Sequence, residues 1–260
     1  MNKMIEKICA WGGMVFAVTF FVGFVLFAKF FPPLSPNDSA ERIAEIYADN
    51  LTGIRIGLAM CYFGTMFFLA FGGAIAGQTR RIKGVSQTVI IVQIASFAAA
   101  MLLLVIPLTT WFAAAFRADT QPAANVQLMN DFGWITFVIG FPPFVAWIVA
   151  TGIAILSDTS ERPVFPRWSG YFSLLMACIQ ALPPIMLIFF KTGPFAWNGL
   201  FSWYIPLTDF FLWFVVFTVL TLRAIKSSPD GTEADESASP EWIGPSEERI
   251  ATSKPSTRRT

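Results

Sequence analysis

Six long stretches with at most one charge each dominate what this chain can fold into. They lie between Lys7 and Lys29, Arg55 and Arg80, Lys83 and Arg117, Asp131 and Asp158, Arg167 and Lys191, and Lys191 and Arg223. Only the sixth contains a charge, Asp209. A helix that crosses the hydrocarbon core of a bilayer needs about 20 apolar residues. Because each stretch can supply them, the sequence predicts a polytopic membrane protein.

The predicted fold is an all-α transmembrane helix bundle of about six spans, followed by a tail. The spans are expected at residues 8–30, 54–77, 87–112, 131–156, 168–190 and 199–224, so residues 1–226 would form the transmembrane domain. From Ser227 onward the chain is rich in Ser, Pro, Glu, Asp and Thr. Such a segment cannot bury enough apolar surface to fold. We therefore expect residues 227–260 to form a disordered cytoplasmic tail.

The distribution of Lys and Arg orients the predicted helices. With the N terminus in the cytoplasm, thirteen of the 18 Lys and Arg residues fall in inner segments and five in outer ones. An excess of basic residues on the cytoplasmic side is the normal pattern of membrane proteins. Both termini are therefore expected to be cytoplasmic, and a bacterial source would place the protein in the inner membrane.

The first outer loop contains the pattern of a short amphipathic helix. Asp38 and Glu41 fit a capping box. Apolar side chains then recur at helical spacing, at Ile43, Ile46, Tyr47 and Leu51. The pattern predicts a helix on the outer surface, which either packs over the loop ends or serves as a gating lid or docking surface.

Composition excludes several classes of function. The chain has no His, which removes histidine-ligated haem, zinc or copper and His-dependent catalysis. Its three Cys residues are scattered over different apolar runs, it has no phosphate-binding loop, and its net charge of +1 gives no basic face for nucleic acid. We therefore predict no cofactor, no metal and no enzymatic activity. The expected partners are membrane lipid and either a second copy, in a homo-oligomer, or another membrane subunit.

Glycine and proline punctuate the predicted spans. Four glycines of the second span share a face, at Gly53, Gly57, Gly64 and Gly72, and Gly73 and Gly77 form a further small-residue pair. Small residues let helices approach closely in lipid, which favours tight packing over a substrate groove. The later spans contain prolines, at Pro107, Pro142, Pro143, Pro183, Pro184 and Pro206. Each frees a backbone carbonyl, so these prolines indicate either ordinary kinks or the wall of a cavity.

Asp209 is the candidate for an intramembrane polar site. It lies ten residues beyond Gly199, about 15 Å along a helix, which is close to the bilayer midplane. Placing a carboxyl group at this depth costs free energy, so such a residue is taken as a candidate for a functional role. Three interpretations stay open: a proton or cation site, a neutral structural donor, or an ion pair with Arg55, which could snorkel either way. Gln93 and Gln180 are the other polar candidates.

Five short segments carry a family resemblance. They are FPPLSP at 31–36, GIRIG at 53–57, ILSD at 155–158, RPVFPRW at 162–168 and FKTGPFAWNG at 190–199. Over roughly residues 10–225 the chain resembles a group of uncharacterised bacterial integral membrane proteins. The resemblance implies a shared six-helix fold and no catalytic residues.

Three functions remain from these patterns. The prolines, the aromatic residues and Asp209 favour binding or transport of a small apolar or amphipathic molecule. The glycines and the tail favour an accessory or structural subunit of a membrane complex. An intramembrane enzyme has little support, because Asp209 and Glu6 are the only acids that could serve it.

Overall fold

The computed structural model describes residues 2–181 and 189–228, and all regular structure in those ranges is helical. The α-helices are α1 (Asn2–Phe21), α2 (Ala40–Asp49), α3 (Leu51–Thr79), α4 (Gln87–Ala100), α5 (Leu102–Phe116), α6 (Ala123–Ile139), α7 (Phe141–Leu156), α8 (Arg167–Ala181) and α9 (Ile205–Lys226). A π-helical segment, Val22–Phe27, continues α1, and a second, Leu200–Tyr204, precedes α9.

Five helical stretches in the described ranges are long and apolar enough to cross a membrane, and they identify the chain as a membrane protein. They are Lys3–Phe27, Leu51–Thr79, Gln87–Phe116, Ala123–Leu156 and Leu200–Lys226. The remaining predicted span, 168–190, is represented by α8 up to Ala181. Its second half, with Pro183 and Pro184, lies largely outside the described residues. The count of six spans, the side of the termini and the disorder of the tail beyond Ser228 therefore stay predictions.

The fourth predicted span begins earlier than residue 131. Its helix begins at Ala123, directly after Pro122. The sequence analysis ended the apolar run at the charge of Asp131, but that residue lies inside α6, where its Oδ1 accepts a hydrogen bond from Asn130 Nδ2 at 3.0 Å. The start at residue 131 was wrong because a charge with a local donor does not end a helix.

Four of the five candidate spans are interrupted within the described ranges, and α3 alone is continuous. The third span breaks at Met101, where Leu104 N bonds back to Met101 O in a tight turn at 3.1 Å. Pro107 lies in the following helix, α5. Because proline has no backbone N–H, the carbonyl oxygen of residue 103 lacks its usual helical donor. The fourth span breaks at Gly140, just before Pro142 and Pro143. The first and last spans contain the two π-helical segments.

The glycines of α3 permit close packing on the first span, as predicted for Gly57 and Gly64. Gly23 and Gly57 lie backbone to backbone: a Cβ atom at Gly23 would be 2.5 Å from the Gly57 carbonyl oxygen. At Gly64 a Cβ would be 2.5 Å from Thr19 Oγ1. Gly72 faces another neighbour, the Phe97 ring of α4. The α3 helix is thus the packing centre for both flanking spans.

The predicted amphipathic helix forms as α2 and packs on the ends of the spans. Ile43 and Tyr47 are fully buried, and the Tyr47 hydroxyl donates to Asn130 Oδ1 at 3.2 Å. Burial, and then the nearby negative charge of Asp131, raise the pKa of Tyr47 well above its usual value. The cap is Ser39, whose hydroxyl accepts from Arg42 N, and the predicted cap at Asp38 was wrong. Asp38 instead accepts from Ser35 N.

Candidate functional site

Asp209 and Gln180, two of the four predicted polar candidates, are hydrogen-bonded to each other. Gln180 Nε2, from α8, donates to Asp209 Oδ2 and to the Pro206 carbonyl oxygen, both at 2.9 Å. Both side chains are buried, Asp209 with 5% of its surface exposed. Its second oxygen, Oδ1, is also buried and has no hydrogen-bond partner among the described residues. Such a group is costly in a low-dielectric interior, where a carboxyl group normally pairs with a cation or carries a proton.

A cavity of about 60 Å³ lies beside this pair. Six of its thirteen lining residues are aromatic, and its polar wall consists of Gln180 and Ser202. The lining residues are Phe20, Leu103, Leu104, Phe137, Val138, Phe141, Gln180, Ser202, Trp203, Pro206, Leu207, Phe210 and Phe211. Trp203 Nε1 is a second buried polar atom without a partner in the described part of the chain. Apolar walls with a few polar groups are typical of sites for small molecules.

The cavity lies where the interrupted spans meet. Phe20 stands just before the π-helical segment of the first span, Leu103 follows the Met101 break, and Phe141 follows Gly140. Trp203 belongs to the π-helical segment before α9, and Pro206 opens α9 itself. An interrupted helix cannot keep its side chains in the regular rows that neighbouring helices interlock with. The gap left at this level is the cavity.

Three clefts along the described bundle share lining residues with the cavity, and one of them, of about 200 Å³, shares only Phe211. The other two bear on how the cavity is reached. The first, which we term the α1–α9 cleft, holds about 150 Å³ and shares Phe20, Leu207 and Phe211 with it. The second, the α5–α6 cleft, holds about 300 Å³ and shares Leu103. Their outer rims include exposed apolar side chains such as Phe21 and Leu102. Single side chains therefore separate the cavity from the lipid-facing surface on two sides.

The cavity is small for a ligand in its present shape. A cavity of about 150 Å³ takes up benzene in a well-studied protein core, and this one holds about 60 Å³. Leu207 and Phe211, which separate it from the α1–α9 cleft, are only half-buried. These two side chains therefore form a partly exposed section of the wall between the cavity and the cleft.

Gln93 belongs to a separate polar network away from Asp209. Its Oε1 accepts from the Thr79 hydroxyl at 2.7 Å, and its Nε2 donates to Thr151 Oγ1 at 2.9 Å. The Thr151 hydroxyl donates in turn to the Trp147 carbonyl oxygen at 2.8 Å. This Gln93 network joins α3, α4 and α7, and its hydrogen bonds are made within the protein. Because its polar groups are paired with one another, we interpret the Gln93 network as a structural link between these helices.

Arg55 does not reach Asp209. Its guanidinium donates to the carbonyl oxygens of Ala115, at 3.1 and 3.2 Å, and of Phe116, at 2.8 Å. These are the last carbonyls of α5, where a cation is favoured by the helix dipole. The ion pair between Arg55 and Asp209, one of the three interpretations of the sequence, is therefore not formed.

The prolines contribute to the site unequally. Pro206 lines the cavity, and Pro142 and Pro143 line the α5–α6 cleft. Pro107 is buried within α5, and Pro183 and Pro184 lie outside the described residues. One of the six prolines, Pro206, thus lies in the wall of the cavity, and the aromatic residues of that wall were not among the candidates from the sequence.

A further network, around Asn130, was missed because the neighbouring charge was taken for a span end. Asn130 Oδ1 accepts from Tyr47 and from Trp134 Nε1 at 3.1 Å, and its backbone carbonyl accepts from Trp111 Nε1 at 3.3 Å. This Asn130 network joins α2, α5 and α6. The available signal was an Asn placed just before the apolar run and four residues, about one helical turn, before Trp134.

No protein-family model, curated protein or solved structure matches the chain. The resemblance to bacterial integral membrane proteins thus stays a prediction. The role of the protein must be inferred from the cavity and its surroundings.

Proposed function

We propose that this membrane protein binds a small apolar or amphipathic molecule that reaches the cavity sideways from the bilayer. The observation that supports this most directly is the pair of lipid-facing clefts whose walls are shared with the cavity. An apolar molecule dissolved in the membrane would meet these clefts without crossing water. Transport would in addition require release of the molecule toward the opposite side of the membrane.

The proposed setting is the inner membrane of a bacterial cell, with both termini in the cytoplasm. The excess of Lys and Arg in the segments assigned to the inner side supports this orientation.

A fluorescent naphthylamine, which brightens in apolar surroundings, tests the binding proposal. The full chain in lipid nanodiscs should bind it saturably, above the partition measured in empty nanodiscs. Leu207→Trp fills the wall between the cavity and the α1–α9 cleft and should abolish the saturable component. Leu212→Trp is the matched control, because Leu212 is exposed on the same helix, α9.

Either of two results would contradict the proposal. One is fluorescence that rises only by linear partition, as in empty nanodiscs. The other is equal saturable binding by the Leu207 and Leu212 variants, which would place the bound molecule elsewhere on the protein.

An accessory subunit remains the second candidate because of one surface on α3. A Cβ atom at Gly73 or Gly77 would meet nothing within 4 Å, so this small-residue pair is open to a helix of another chain. Gly73→Leu should then release a homo-oligomer or a partner subunit, as measured by size and mass in mild detergent. An unchanged assembly would leave this surface to lipid.

A further inference from the structure

Resting on the proposed binding function, we propose that the cavity selects a small organic cation with an apolar body, and that Asp209 is its counter-charge. Asp209 stands directly behind the cavity wall. It precedes Phe210 in the chain and is bonded to Gln180, and both of these residues line the cavity. Its Oδ1 has no partner among the described residues.

The surroundings of Asp209 supply no positive charge in the described part of the chain. Gln180, its recorded hydrogen-bond partner, is a neutral amide. Arg55, the cation that the sequence offered, is bound to the end of α5. A carboxylate within a membrane bundle normally pairs with a cation or carries a proton. A cationic ligand in the adjoining cavity would lie beyond Phe210 and Gln180, without contacting the buried Oδ1, and the carboxylate would attract it across this wall, where low polarity weakens screening. A purely apolar ligand would not be attracted in this way.

The aromatic wall supports the same class of ligand. Six rings line a cavity of about 60 Å³, those of Phe20, Phe137, Phe141, Trp203, Phe210 and Phe211. The faces of aromatic rings attract ammonium groups, most strongly where water is excluded, and quaternary ammonium ligands are recognised in this way. Rings alone would accept apolar and cationic ligands alike. The combination of rings with a buried acid favours the cation.

Two compounds of nearly equal shape separate charge from size. Phenyltrimethylammonium carries a permanent positive charge, and tert-butylbenzene replaces its nitrogen by carbon. Binding of each to the full chain in nanodiscs would be measured by equilibrium dialysis, with empty nanodiscs subtracted. We expect the cation to bind roughly tenfold more tightly or better, a ratio that one favourable charge or cation–π contact provides.

Variants then test whether Asp209 causes the tighter binding of the cation. Asp209→Asn keeps an oxygen for Gln180 but removes the charge, and it should bring the two affinities together. Asp131→Asn is the matched control, because it removes a half-buried acid of α6 whose chain neighbours and hydrogen-bond partner, Asn130, do not line the cavity. The Asp131→Asn variant should still bind phenyltrimethylammonium more tightly than tert-butylbenzene. Phe211→Leu is a second variant that remains informative if Asp209→Asn does not assemble, and it should weaken binding of the cation more than binding of tert-butylbenzene.

The outcomes are distinct. Equal affinity of the two compounds for the wild type, or a preference that survives Asp209→Asn, overturns the cation proposal and leaves the binding function standing. A carboxyl group that carries a proton as a structural donor would give that result. Saturable binding of neither compound overturns the cation proposal, and it overturns the binding function as well only if the naphthylamine also shows no saturable binding.

Discussion

The contact between Gly57 and Gly23 gives the sharpest test of how the bundle is packed. In Gly57→Ala the new methyl group would collide with the Gly23 carbonyl oxygen and would lie 2.7 Å from the Ala28 nitrogen. Ordinary contact begins at 3.4 Å, so the Ala28 nitrogen alone requires the two spans to separate by about 0.7 Å at this point, and the Gly23 carbonyl oxygen, which is closer, requires more. Because both obstacles are backbone atoms, no side-chain rotation relieves them. Overpacking of this kind costs about 1–3 kcal/mol of unfolding free energy.

Two other glycines of the same helix provide graded controls. At Gly64 the methyl would meet Thr19 Oγ1, which can rotate away if it gives up its bonds to the Val15 and Phe16 carbonyls. The loss of unfolding free energy in Gly64→Ala should therefore lie between the losses at Gly57 and Gly73. At Gly73 nothing lies within 4 Å, and alanine is favoured over glycine in a helix interior by about 1 kcal/mol. Gly73→Ala should therefore be neutral or stabilising.

Unfolding of the purified protein by sodium dodecyl sulfate in mixed micelles, followed by circular dichroism, would measure these differences. The expected order of stability is Gly73→Ala first, then Gly64→Ala, then Gly57→Ala, with about 2–4 kcal/mol between the extremes. Equal midpoints for all three variants would refute the close crossing of the first span and α3. A greater loss at Gly73 would show that the open surface is occupied.

Three further predictions concern the acid, the topology and the tail. Asp209→Asn should fold like the wild type, whereas Asp209→Leu leaves Gln180 with a single acceptor and should lose about 1–3 kcal/mol in the same assay; equal stability of the two would remove any structural role of this bond. A Cys introduced near Asp38 should react with an impermeant reagent from outside intact cells, and a Cys near Ser237 should not; the reverse would overturn the orientation. Truncation after Lys226 should leave the melting temperature unchanged, because the tail has no apolar face to bury, and a large fall would show that it packs on the bundle.

The sequence correctly predicted those features of the fold that depend on the composition of long segments. Uncharged runs located the five described spans, and the α3 glycines at 57 and 64 indicated close packing correctly, because a missing side chain is itself the contact surface. Asp209 and Gln180 were both selected as polar groups in apolar surroundings. Nothing in the sequence showed that they would meet each other and that Gln93 would not, because pairing depends on which helices become neighbours.

Local backbone irregularities were the least predictable part of the site. Gly140 precedes two prolines and could be expected near a break, but Met101 lies in a run of good helix formers. The π-helical segments have no signature in residue type; the first crosses α3 at Gly23, where close packing with Gly57 fixes the backbone. Asp131 was read as a span end because its charge ends the uncharged run, although the side chain of Asn130, next to it in the chain, donates a hydrogen bond to it within the helix.

The interruptions of the spans separate two blocks of helices, each of which is held together by its own hydrogen-bond network. The Asn130 network holds α2, α5 and α6 on one side of the breaks, and the Gln93 network holds α4 and α7 against α3 on the other. Met101 and Gly140 lie between these blocks in the chain, at the level of the cavity. The unbroken α3 is bonded to both blocks, to α5 through Arg55 and to α4 through Thr79. The breaks at Met101 and Gly140 therefore separate two regions that are each fixed to the same continuous helix.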